Sequence, residues 1–69
     1  MKQIIGRKIK EKRMELGISQ LEAAKLCGLS IRSYGKIERA QENLSLNTLM
    51  RIMKGLDISW QELGEEEAK

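Results

Sequence analysis

Residues 19–39 read SQLEAAKLCGLSIRSYGKIER, and this stretch decides the fold. Ser19-Gln20-Leu21-Glu22 has the form of a capping box. In such a box the serine hydroxyl accepts from the third backbone N–H of a helix, and the glutamate reaches back to the serine N–H. A short helix is therefore expected from Gln20 to about Cys27, where Gly28 can supply the left-handed conformation that ends it. Ser30 is the next cap, and a further helix is expected over about Ile31–Arg39. Leu29 before this cap and Tyr34 after it hold the staple positions that fix the angle at which the chain enters a helix.

The pattern extends in both directions. Upstream, Ile5, Ile9 and Leu16 recur at helical spacing, and Gly17 suits the end of a first helix over about Gln3–Leu16. Downstream, Ser45 caps a fourth helix, with Leu44 and Leu49 as its staple and Leu49, Ile52, Met53 and Leu56 along one face. Ser59-Trp60-Gln61-Glu62 is a second capping box, with Ile58 and Leu63 as its staple, and opens a short fifth helix. Five helices with short connections are predicted, apart from a longer loop at about Ala40–Leu44. No strand pattern competes. The domain is expected over residues 1–63, with 64–69 an acidic, frayed tail.

Composition bounds the rest. Sixty-nine residues make one small domain. With 41% apolar residues, 33% charged residues and no proline, the chain is too apolar and too patterned for disorder. It has nothing like the ~18 consecutive apolar residues of a membrane span. The opening MKQIIGRKIK lacks the apolar region of a secretory signal, so a cytoplasmic chain is expected. Histidine is absent and Cys27 is the single cysteine. That composition argues against His-based catalysis, common metal sites and an internal disulfide, so no enzyme, metal or cofactor is expected. Cys27 reads as a small buried hydrophobe rather than a redox sensor, since only the neighbouring Lys25 would activate it. Met50 and Met53 read as core or interface filler.

Charge is unevenly spread. Residues 1–39 carry ten cations against four anions, whereas residues 40–69 carry three cations against six anions. A basic half beside an acidic half fits one face for a polyanion and another turned away. Ordinary solvated helix surface gives the same count.

Two short helices joined by a turn at Cys27-Gly28-Leu29-Ser30 form a helix-turn-helix, whose second helix can lie in the DNA major groove. The first helix crosses the backbone with its N-terminus near a phosphate, where N–H groups and the helix dipole favour an anion. Gln20 sits there. Ile31, Arg32, Ser33 and Lys36 occupy the N-terminal part of the second helix.

At these residues the chain resembles the Cro-like helix-turn-helix family of phage repressors and bacterial Xre-type regulators. The carriers are Arg13, Gly17-Ile18-Ser19-Gln20, Ala24, Gly28-Leu29-Ser30, Ile37-Glu38-Arg39 and the Leu49/Ile52/Leu56/Ile58 run, together covering about Ile5–Leu63. Within that family, Asn43-Leu44-Ser45 and Ile52-Met53-Lys54-Gly55-Leu56-Asp57-Ile58 look closest to controller proteins of restriction–modification systems. The resemblance implies an all-α, compact, five-helix lambda-repressor-like fold in a bacterial or phage-encoded, cytoplasmic regulator. It implies sequence-specific binding of double-stranded DNA as a homodimer at a pseudo-palindromic operator, with RNA polymerase as a possible further partner. Ile31, Arg32 and Lys36 would read base edges, Arg32 pairing with guanine and Ile31 meeting a thymine methyl. Gln20, Ser33, Arg39 and Asn43 would contact phosphates. Arg13 and Glu38 would form a structural ion pair between the first and third helices.

Three sites, four residues in all, depart from the family pattern. Ala40 stands where glycine or asparagine is usual, and it would be strained if the site is left-handed. Gln41-Glu42 stands where cations are common, and Glu42 would repel phosphate. Gly35 lies inside the recognition helix, where glycine costs about 1 kcal/mol relative to alanine. Trp60 either caps the domain's own core or forms, with Ile58 and Leu63, an exposed patch for a twofold dimer, and the dimer is the preferred reading. Glu42 and Gly35 also keep open a different class of function, a protein-interaction module of antitoxin or coactivator type that reads little DNA sequence.

Overall fold

The computed structural model describes residues 2–41 and 44–64. They fold as α1 (Lys2–Leu16), α2 (Gln20–Cys27), α3 (Ile31–Glu38), α4 (Leu46–Leu56) and α5 (Trp60–Gly64), and there is no strand among the described residues.

Each boundary has a local cause. Ser19 Oγ accepts from the Glu22 N–H at 3.1 Å, and the Ser19 N–H donates to Glu22 Oε1 at 2.9 Å, which completes the capping box. Ser59 and Glu62 repeat that exchange at the start of α5. Ser30 and Ser45 accept from the N–H groups of Ser33 and Thr48. The first four helices all end the same way, with a backbone N–H reaching five residues back: Ile18 to Arg13, Leu29 to Ala24, Gln41 to Lys36 and Ile58 to Met53. This closure needs one left-handed residue before the donor. Gly17 and Gly28 fill that place with φ 70°, whereas Ala40 and Asp57 fill it with φ 59°. Ala40 is therefore held in a conformation that its Cβ disfavours. Helix α3 ends at Glu38 with Arg39 as its cap, one residue short of the expected boundary.

The core is small and shared. Ile9 of α1, Tyr34 of α3 and Ile52 and Leu56 of α4 are fully enclosed. Helix α2 contributes Ala23, Ala24 and Cys27, whose small side chains let it pack closely. The staple residues Leu29, Leu44 and Leu49 close the edges. The first helix differs from expectation in one respect: Ile9 is buried, but Leu16, at the helix's last residue, is 46% exposed.

Two glycines set how near the helices come. A Cβ on Gly6 would lie 2.7 Å from the Ile37 carbonyl oxygen and 2.9 Å from that of Glu38, so α1 crosses α3 at backbone contact. A Cβ on Gly55 would lie 2.7 Å from the Leu26 carbonyl oxygen, so α4 meets the end of α2 in the same manner. No helix among the described residues is long and apolar enough to cross a membrane.

Candidate nucleic-acid interface

Helix α3 has two chemically distinct faces. Tyr34, Ile37 and Glu38, at spacings of three and four, turn into the protein. Arg32, Lys36 and Arg39 follow one another at spacings of four and three on the opposite side. Arg32 and Arg39 are exposed, and Lys36 is half-buried. Ile31 leads the helix with 48% of its surface in solvent. Ser33 is half-buried, and its N–H is held by the Ser30 cap. Of the base-facing residues expected from the sequence, Arg32 and Lys36 share the outer side of the helix, whereas Ile31 stands at its N-terminal end above the row of Tyr34 and Glu38.

A buried polar cluster holds that helix. Arg13 Nε donates to Glu38 Oε2 at 2.7 Å, and its Nη2 donates to Oε1 at 3.3 Å. Arg13 Nη1 donates to the Ile18 carbonyl at 3.0 Å. Gln20 Nε2 donates to Glu38 Oε1 at 3.0 Å. One carboxylate thereby ties α1, α2 and α3 together. Burial pushes the Glu38 carboxyl up, but the donors Arg13 and Gln20 outweigh it and hold the group below its ordinary value. The Tyr34 hydroxyl approaches this carboxylate in full enclosure without completing a hydrogen bond of good geometry.

The remaining expected site residues fall in three places. Gln20 packs against the recognition helix through the Glu38 bond. Arg39 is anchored at the far end of α3, where its Nε donates to Gln41 Oε1 at 3.0 Å. Asn43 and Glu42 lie outside the described residues. Sequence reading did not foresee the Gln41 contact, because Gln41 stood out only as a missing cation.

Most of the expected apolar patch is core rather than exposed surface. Ile58 and Leu63 are 6% exposed and belong to the core, because their staple pairing turns both inward. Trp60, at the start of α5, lies 58% exposed. Its exposed apolar company is Met50 of α4, and the two line one depression together with Met53 and the edge of Ile58. Cys27 is buried, and burial pushes its thiol up to about 11, so it is not a thiolate at neutral pH. No group of side chains able to hold a metal ion occurs among the described residues.

Comparison with known proteins fits this geometry. A helix-turn-helix family model, HTH_3, matches residues 9–63. Among solved structures, the wild-type restriction–modification controller protein C.Esp1396I superposes with a TM-score of 0.87 at 32% identity, covering 99% of this chain and 92% of that one. A single-substitution variant of that controller gives a TM-score of 0.86 at 32% identity, covering 99% and 96% of the two chains. No curated protein sequence matches. A family model spanning most of the chain, on a fold whose recognition helix turns its cations outward, means that the chain belongs to the HTH_3 helix-turn-helix family of DNA-binding transcriptional regulators.

Proposed function

We propose that this chain is a sequence-specific repressor or autoregulator that binds a pseudo-palindromic operator as a homodimer, with residues 1–63 as the DNA-binding unit. The observation that carries the reading is the outward row of Arg32, Lys36 and Arg39 on a helix fixed from behind by Arg13 and Glu38. Rigid presentation of cations on an 8-residue helix suits entry into the major groove. The likeness to a restriction–modification controller supports a role controlling such a gene pair.

In this reading Arg32 pairs with guanine O6 and N7, Ile31 contacts a thymine methyl, and Lys36 meets an adjacent base edge. Gln20, Ser33, Arg39 and Asn43 bind phosphates and set the register. Gln20 spends one amide N–H on Glu38 and offers the other to DNA. A dimer places two half-sites about one helical turn apart, roughly 10 base pairs centre to centre. Regulation then follows from blocking RNA polymerase or touching it at the operator.

The test is selection from a random duplex pool at about 0.15 M salt, near physiological ionic strength, with wild type and Arg32→Ala in parallel. Wild type enriches a palindrome, and the variant loses one guanine position within it. Failure of wild type to enrich any sequence removes the reading.

A further inference from the structure

Gly35 sits in the middle of the recognition helix, where glycine weakens a helix. Its surroundings differ from those of Gly6 and Gly55. At those two positions a Cβ would strike backbone of a neighbouring helix. At Gly35 the nearest atoms are the tips of two flexible side chains: Arg39 Nη1 at 3.2 Å, Arg39 Nη2 at 3.7 Å and Gln20 Oε1 at 3.7 Å from the Cβ position. Helix packing therefore does not call for glycine here. The polar ends do, since Gly35 is buried although it lies on a short surface helix.

We propose that Gly35 is a positioning residue for phosphate binding: lacking a side chain, it lets Arg39 fold back along α3 and hold its guanidinium beside Gln20, where the two grip one DNA phosphodiester. This rests on the DNA-binding reading above and adds to it the residue that sets the Arg39 geometry. The geometry restrains Arg39 at two points. Its Nε is bound to Gln41 Oε1, and its Nη edge lies over the glycine. Among the described residues the Nη groups have no hydrogen-bond partner, while the nearby carboxylate of Glu38 is engaged by Arg13. A planar guanidinium with its outer N–H groups available matches a phosphate oxygen pair. An alanine at residue 35 would push Nη1 outward by a few tenths of an ångström and release the guanidinium from the helix surface.

The experiment compares wild type, Gly35→Ala, Arg39→Ala and the double variant on the duplex that wild type selects, across a series of salt concentrations, with thermal unfolding alongside. Gly35→Ala unfolds at the wild-type temperature or above, because alanine is the better helix former and only a side-chain tip must move. Its affinity falls about tenfold, the loss of one charge-assisted hydrogen bond. Its slope of log affinity against log salt flattens by about 0.9, the loss of one phosphate contact. In the Arg39→Ala background, Gly35→Ala changes neither quantity, because the residue it positions is gone. The proposal is overturned by wild-type affinity and slope in Gly35→Ala, by an equal loss in both backgrounds, or by a sharp drop in unfolding temperature, which would make Gly35 a packing residue. A wild type that binds no duplex removes the DNA-binding reading and this inference with it, an outcome distinct from tight wild-type binding matched by Gly35→Ala.

Discussion

Arg13 and Glu38, 25 residues apart in sequence, meet through two hydrogen bonds, with Nε to Oε2 at 2.7 Å and Nη2 to Oε1 at 3.3 Å. The Glu38 side chain is 2% exposed and that of Arg13 14%. Removing the carboxylate strands a largely buried guanidinium that keeps only the Ile18 carbonyl. Glu38→Ala should therefore cost about 3 kcal/mol, toward the low end for a broken buried pair because Arg13 retains some water contact. Urea unfolding measures it. A midpoint equal to wild type would show the pair to be energetically idle.

The same pair contributes to the loss of stability in acid. The Glu38 pKa lies below its ordinary value in the folded protein, so the native state binds that proton more weakly than the unfolded chain. Its contribution is complete above the unfolded value, near 4.5, and fades as pH falls through the lower folded value. Glu22 and Glu62 are lowered too, chiefly by the N–H groups of Ser19 and Ser59, and act in the same direction. Stability followed from pH 7 to pH 2 should fall in wild type, and more gently in Glu38→Gln, which starts lower. Parallel curves for the two proteins would remove Glu38 from the acid transition.

Ala40 closes α3 at φ 59°. A left-handed alanine costs about 1–2 kcal/mol in steric strain, partly offset by the entropy that glycine loses on folding. Ala40→Gly should raise stability by about 1 kcal/mol. Calorimetry decides, and a lower unfolding temperature would mean that the turn is unstrained.

The sequence conveyed most of what local chemistry controls. Ser19, Ser30, Ser45 and Ser59 announce the helix starts, and the structure shows each serine hydroxyl accepting the N–H three residues on. The Arg13 and Glu38 partnership came from family likeness and not from spacing, since nothing local links residues on separate helices. What stayed hidden depends on three-dimensional approach. Nothing in the sequence marks Gly6 and Gly55 as crossing points, because the atoms that require glycine there are backbone carbonyls of other helices. Ile58 and Leu63 carried two readings, a staple for α5 and an interface beside Trp60, and nothing in the pattern alone chose between them. The staple geometry turns them inward.

That hidden approach is itself measurable. A methyl group at residue 6 meets two carbonyl oxygens inside 3 Å. Neither can swing aside as a side-chain tip can, so α1 must move off α3. Gly6→Ala should destabilise by about 1–3 kcal/mol despite alanine's better helix propensity. Stability at or above wild type would show that the two helices separate without loss.

Trp60 offers the final test, because it is the tryptophan of the chain and lies 58% exposed beside Met50, itself 53% exposed. If the proposed dimer forms there, concentrating the protein buries the indole and shifts its emission to shorter wavelength. Aromatic and methionine side chains are enriched in such interfaces, and a few of them carry most of the binding energy. Trp60→Glu leaves the core residues Ile58 and Leu63 in place, so the helical circular dichroism should persist. Sedimentation should show a monomer, and operator binding should weaken because each half-site is then occupied alone. A variant that sediments as wild type does would move the dimer contact elsewhere on the molecule.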